Sequence, residues 1–200
     1  MLGHALWAVD SSGKPWFTEV ATLDATGGQI LVWRDLQPYM RHSSWGCAMG
    51  LFVCVSCGDS GVTWGLGDDG RAYAYRARTP ASMSLVQKAL GQTVGSNSGS
   101  WQQVPACKDS DGRFKSLQHV AVGMHAVWAV TRQNRVVVRT GISADTPAGT
   151  NWEWVNSETE CTRVWVTENT VWAITPKAEL VFRDGVSAHM PTGIQVVNIY

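Results

Sequence analysis

A chain of 200 residues is long enough to bury roughly 70% of its unfolded surface in a single domain, and 44% apolar with 16% charged residues, 20 Gly and 7 Pro describes a globular protein with many turns. Its 16 Lys and Arg cancel its 16 Asp and Glu, which leaves no domain-wide positive field for nucleic acid or anionic lipid. No run approaches the ~18 apolar residues of a membrane span, Met1 to Ser12 has neither a basic start nor a long apolar stretch, no Asn-x-Ser/Thr acceptor occurs and the 5 Cys are an odd count, so the expectation is a soluble, cytosolic chain without a disulfide framework.

Taken in chain order, the elements repeat. A first hairpin is predicted over Leu6–Thr18, an outer strand over Trp33–Leu36, an inner strand over Phe52–Cys57 and a second hairpin over Thr63–Arg76. The segment Ala77–Gly99, rich in Ser, Gly and Asn, reads as an inserted loop with one short helix around Ser84–Leu90. An outer strand follows at Trp101–Val104, an inner strand at Leu117–Val122, a third hairpin at Val127–Arg139, an outer strand at Trp152–Val155, an inner strand at Cys161–Val166 and a fourth hairpin at Val171–Arg183.

Each hairpin opens on Trp followed by a small residue and an aliphatic one, at Trp7, Trp64, Trp128 and Trp172. Gly13, Gly70 and Asn134 stand at the turn, where a positive φ is commonly needed, and Ala178 breaks that pattern in the fourth copy. Val120 precedes Trp128 by the same interval as Val164 precedes Trp172, a register that fixes an inner strand against each hairpin. Trp101 and Trp152 head the outer strands. The expected fold is all-β: a β-propeller of four-stranded antiparallel blades over residues 1–200, with about four blades present, forming an arc of a larger ring. A competing closure has Ile194–Ile199 supply the missing inner strand of the first blade and complete a four-blade ring.

The segment from Gly99 to Gly141 carries Gly-x-Trp-x-x-Val-Pro, Leu-x-x-Val-x-Val-Gly, Val-Trp-x-Val and a strand ending Arg-x-Gly, and Pro147–Trp152 reads Pro-x-Gly-Thr-x-Trp. In these motifs the chain resembles the tectonin β-propeller repeat, strongly over about residues 99–185 and more loosely over 28–76. Its start, with Met shortly before Leu-Trp-Ala-Val-Asp, is similar to that of animal tectonin-repeat proteins, and its last unit departs by lacking the outer-strand Trp. The resemblance implies a non-catalytic scaffold for proteins of autophagy, lysosomal or secretory membrane trafficking, recruited from the cytoplasm to those membranes. It implies as an alternative a lectin that binds glycans, stacking sugars on Trp33, Trp45 or Trp154 if these stand exposed at blade edges.

The arginines that close the third strands, Arg76, Arg139 and Arg183, are candidates either to line one face of the ring as recognition groups or to bond carbonyls of neighbouring blades. Trp33, Trp101 and Trp152 each head a Trp-x-x-aliphatic sequence like the short motif that docks on autophagy ubiquitin-like proteins, but recurrence at one blade position favours packing. Gly65-Leu-Gly67-Asp-Asp-Gly70 reads as a hairpin turn, because a strand rather than a helix follows it. Gly58-Asp59-Ser60-Gly61 lacks the histidine context of a serine protease and reads as a loop. Cys54 and Cys57, with Cys47 and His42 upstream, lack a second ligand pair and read with Cys107 and Cys161 as buried structural thiols. Asp109-Ser-Asp111-Gly112 has Val120 where a calcium loop needs its closing Glu, so it reads as a turn. His119 and His125 have no acidic partner at readable spacing. No metal, cofactor or catalytic site is expected.

Overall fold

A computed structural model describes residues 5–9, 11, 15–19, 34–35, 52–58, 62–76, 100–156 and 159–198. The inserted segment, Trp33, Trp45, His42 and Cys47 lie outside these residues, and for Trp7 and Arg76 only the strand position is described.

The strands assemble into sheets in chain order. The first sheet is β1 (Ala5–Val9), β2 (Pro15–Glu19) and β3 (Arg34–Asp35). The second is β4 (Phe52–Cys57), β5 (Thr63–Gly67), β6 (Ala72–Arg76) and β7 (Ser100–Gln103). The third is β8 (Leu117–Val122), β9 (Val127–Thr131), β10 (Val136–Thr140) and β11 (Asn151–Trp154). The fourth is β12 (Arg163–Val166), β13 (Val171–Ile174), β14 (Leu180–Asp184) and β15 (Gln195–Asn198). Every pairing is antiparallel, and each sheet is one propeller blade.

The register repeats between blades. Ala121 lies opposite Trp128 and Trp165 opposite Trp172, so the fixed interval from inner valine to Trp is a strand register. Strand β15 pairs with β14 of its own blade, Arg183 opposite Val196, as Arg139 lies opposite Trp152. It is therefore the outer strand of the fourth blade, and the closure in which it serves the first blade does not hold.

Blades stack through two kinds of contact. Inner strands follow one another, β4 on β8 and β8 on β12, while the strand that opens each Trp hairpin packs on the first strand of the next blade, β1 on β4, β5 on β8 and β9 on β12. Two apolar cores result. Trp64, Leu66, Val104, Leu117, Val120 and Val137 form the one between the second and third blades. Trp128, Val130, Val155, Cys161, Val164 and Val181 form the one between the third and fourth. At the close of the inner strand a Cβ on Gly123 would stand 2.5 Å from the Val166 side chain, so only glycine lets the fourth blade approach there.

The hairpin turns serve the stacking as well. Gly70, Asn134 and Ala178 all take positive φ, at 77°, 59° and 64°. The first two then present their carbonyls to the next blade, which Leu117 N–H and Cys161 N–H reach at 2.9 Å. Ala178 departs from the pattern in residue type but not in backbone.

Candidate interaction surface

The repeat's polar side chains are spent largely on the propeller itself. The Trp64 indole N–H crosses to the third blade and donates to the Pro147 carbonyl at 2.7 Å. The next two carbonyls of that loop accept from Arg139, whose Nε reaches Ala148 O at 2.9 Å and whose terminal nitrogen reaches Gly149 O at 3.1 Å. Arg139 is 2% exposed, and burial draws its pKa below the ordinary guanidinium value. The Trp152 ring lies 5.4 Å from its guanidinium carbon and edge-on to Trp64, with 6.0 Å between centroids. Trp152 in turn donates to Pro105 O at 2.7 Å.

Arg183 repeats the arrangement, donating to Thr192 O and Gly193 O. Arg139 and Arg183 therefore brace loops of their own blades and do not bond the carbonyls of a neighbouring blade; Arg139 is buried and Arg183 half-buried. Trp101 is 3% exposed among Phe52, Tyr73 and Tyr75, which makes it a packing residue and not an exposed docking strand.

The remaining motifs resolve as local structure. Gly67 and Gly70 close the β5–β6 turn through Gly67 N–H to Arg71 O at 2.8 Å and Gly70 N–H to Gly67 O at 3.0 Å. Of the protease-like segment only Gly58 is described, and its N–H bonds Val62 O. Cys107 and Cys161 are buried, but Cys54 is only half-buried and Cys57 is exposed. The bulge between Phe52 and Cys54 shifts the register there, so the expectation of four buried thiols is corrected for β4. Burial raises the Cys107 thiol to about 11. No group of three or more metal-ligating side chains occurs among the described residues.

Asp109 organises a turn through its side chain. Its Oδ1 accepts from Asp111 N–H at 3.1 Å and Arg113 N–H at 2.8 Å, and its Oδ2 meets Lys115 Nζ at 2.9 Å. The hydrogen bond from Lys115, then that from Arg113 N–H, holds the carboxyl below its usual range. Lys108 and Phe114 pair across this turn.

That small hairpin carries an aromatic ledge at the outer edge of the second and third blades. Trp154, 37% exposed, donates its indole N–H to Lys108 O at 3.1 Å. Phe114, 41% exposed, lies beneath the Arg71 guanidinium at 5.4 Å. Arg71 and Phe114 thus pair as cation and ring, and Trp154 is tied to the same hairpin through the Lys108 carbonyl. Trp154 is one of the residues singled out from sequence; Phe114 and Arg71 are not. The signal for Phe114 was its place as the one aromatic residue in an otherwise polar turn.

A third exposed aromatic among the described residues is Trp165 at 43%. Pairing puts it on one face with Trp172 and Phe182. His119 stands 5.9 Å from its ring and accepts from Val164 N–H at 3.5 Å.

The Hyd_WA propeller family matches residues 126–154, the stretch from the third hairpin to its outer strand. No curated protein matches the chain. Yeast RCC1 (Prp20), solved bound to Kap60, is 13% identical with a TM-score of 0.56, over 99% of this chain and 47% of that one. Prp20p from Saccharomyces cerevisiae, described with its binding properties to Gsp1p and histones, is 13% identical with a TM-score of 0.54, over 91% of this chain and 42% of that one. Human WBSCR16 is 12% identical with a TM-score of 0.50, over 92% of this chain and 48% of that one. The likeness is one of fold, and the chain spans about half the length of these solved proteins or less. The chain has the fold of a β-propeller.

Proposed function

We propose that this chain is a non-catalytic interaction scaffold of the tectonin-repeat type, which binds proteins of autophagy, lysosomal or secretory trafficking from the cytoplasmic side of their membranes. The observation that carries the scaffold reading is the ledge of Trp154, Phe114 and Arg71. Trp and Arg are the side chains most enriched where binding energy concentrates, and here they are held by an ordered hairpin that leaves little freedom to lose on binding. The trafficking part of the proposal rests on the resemblance of residues 99–185 to tectonin repeats.

A lectin is the second reading, favoured by one observation: the half-exposed Trp154 offers an aromatic face on which a sugar can stack. The full chain and its Trp154→Ala/Phe114→Ala variant are compared in two assays, capture of identified trafficking proteins from cytosol and a glycan array. Capture by the parent chain that drops at least tenfold in the variant, with a blank array, supports the scaffold. Saturable glycan binding that the variant loses, with no cytosolic partner, supports the lectin and sinks the trafficking proposal.

A further inference from the structure

The fourth blade leaves exposed a row of side chains that the two blades before it cover. In the second blade Trp64 is paired on either side with Ser56 and Ala74, and in the third Trp128 is paired with Ala121 and Val138. Trp64, Ala74, Ala121, Trp128 and Val138 are buried, and Ser56 Oγ accepts the Val122 N–H of the next inner strand at 2.9 Å. In these rows the following blade comes down close to the backbone. The matching row of the fourth blade is Trp165, Trp172 and Phe182. Trp165 is exposed and the other two are half-buried, with 5.3 Å between the Trp172 and Phe182 ring centroids. An indole thus stands where Ser56 and Ala121 let an inner strand approach, and a phenyl ring where Ala74 and Val138 do. The face is too bulky for another blade in the register of the two junctions described, and it presents aromatic surface instead.

Two charges flank that row. Successive side chains of a strand alternate between faces, so Arg163 shares this face from β12, two residues before Trp165, and Asp184 shares it from β14, two residues after Phe182. Arg163 lies level with Ile174 and Leu180 on one side of the aromatic row, and Asp184 lies on the other side, beyond the pair of Val171 with Arg183. Trp172, on the strand between them, sits midway. Both charged residues are exposed, and among the described residues neither forms an ion pair. A twofold axis through Trp172 in the plane of contact therefore sets Arg163 of one copy against Asp184 of its partner, and the reverse, while the two aromatic rows meet. Aromatic side chains and Arg are the residues that interfaces favour.

We propose that this face of the fourth blade is an isologous dimer interface, occupied by the same face of a second copy of the chain.

Sedimentation equilibrium of the full chain at micromolar concentrations tests it, under reducing conditions because Cys57 is exposed. Expected is a monomer–dimer equilibrium. Arg163→Asp and Asp184→Arg each set like charges against one another at both ends of the interface, and each is expected to weaken dimerisation at least tenfold. The double exchange Arg163→Asp/Asp184→Arg restores opposite charges and is expected to recover the dimer. An equimolar mixture of the two single variants is expected to recover it as well, which only a surface that pairs with itself can do. Leu180→Lys, at an exposed position of the same face, is expected to weaken the dimer at least tenfold too and serves should a charge variant fail to fold. A chain that stays monomeric, open-ended head-to-tail oligomers, a dimer undiminished in the folded single variants, or no recovery in the double exchange and the mixture would each overturn the proposal.

Discussion

Two junctions in this molecule are built from the same plan and finished differently. Between the second and third blades the Trp64 indole is hydrogen-bonded across the junction and capped by Trp152. Between the third and fourth, Trp128 occupies the equivalent strand position and is equally buried, yet its N–H is unpaired among the described residues and the strand position that corresponds to Trp152 holds Val196. What the two share is the minimum for stacking blades: the valine core, the positive-φ turn whose carbonyl meets the next inner strand, and the braced arginine. Polar satisfaction and aromatic capping are additions that a junction can lack while keeping its register.

The most severe way to break the comparison is to give the first junction the residue of the second. Trp152→Val removes a half-buried ring from Trp64 and Arg139 together with its bond to Pro105 O. The expected loss is about 2–3 kcal/mol, below the full cost of deleting a buried Trp because part of the ring already meets solvent. Chemical denaturation measures it, and a loss no greater than that of an ordinary surface substitution would show that Trp152 does not close the junction.

A gentler substitution separates the hydrogen bond from the packing. Trp64→Phe strands the Pro147 carbonyl and forfeits a buried bond, whereas Trp128→Phe discards a donor that has no partner. Both lose similar apolar volume, so Trp64→Phe is expected to cost about 1–2 kcal/mol more. Equal losses in paired unfolding curves would mean that the two indoles are equally satisfied.

Much of this plan is legible in the sequence and some of it is not. The Trp hairpins and the interval from Val120 to Trp128 stand out because a strand register is a fixed spacing along the chain. For Arg139 the sequence suggests backbone carbonyls as partners but assigns them to a neighbouring blade, since the carbonyls it does bond lie in an irregular loop of its own blade with no periodicity. The aromatic ledge is hidden for another reason: Arg71 belongs to one blade's hairpin and Phe114 to the connection into the next, and only stacking brings them together. Ala178 misleads because residue type and backbone disagree there. Its turn is closed by Ala178 N–H to Thr175 O at 3.0 Å and Thr175 N–H to Glu179 O at 2.9 Å, and these bonds hold an alanine in a conformation that favours glycine.

That disagreement supplies a smaller test of how the turns contribute. A left-handed residue with a Cβ costs about 1–2 kcal/mol, partly offset by the greater unfolded-state freedom of glycine, so Ala178→Gly is expected to stabilise the chain by about 0.5–1 kcal/mol. The same substitution at Asn134, which also accepts a bond from Gln118 at 3.0 Å, is expected to gain less. A larger gain at Asn134 in thermal unfolding would assign the preference to the junction and not to the backbone.

The smallest expected effect distinguishes the junctions by pH. In each, an inner-strand amide of the later blade donates to a side chain of the earlier one: Val122 N–H to Ser56 Oγ at 2.9 Å, and Val164 N–H to His119 Nδ1 at 3.5 Å. The serine bond does not titrate. Burial first, and the Arg163 charge second, depress the His119 pKa below 6.5, so the folded state favours the neutral imidazole that can accept. Stability from a depressed histidine is complete above its unfolded value and is lost as pH falls through the folded one. Acidification from about pH 7.5 to about 5.5 is therefore expected to speed hydrogen exchange at Val164, after correction for the intrinsic rate, while Val122 keeps its protection. His119→Gln is expected to remove that pH dependence; if Val122 loosens in parallel with Val164, the acid response belongs to the propeller as a whole and not to the third and fourth blades.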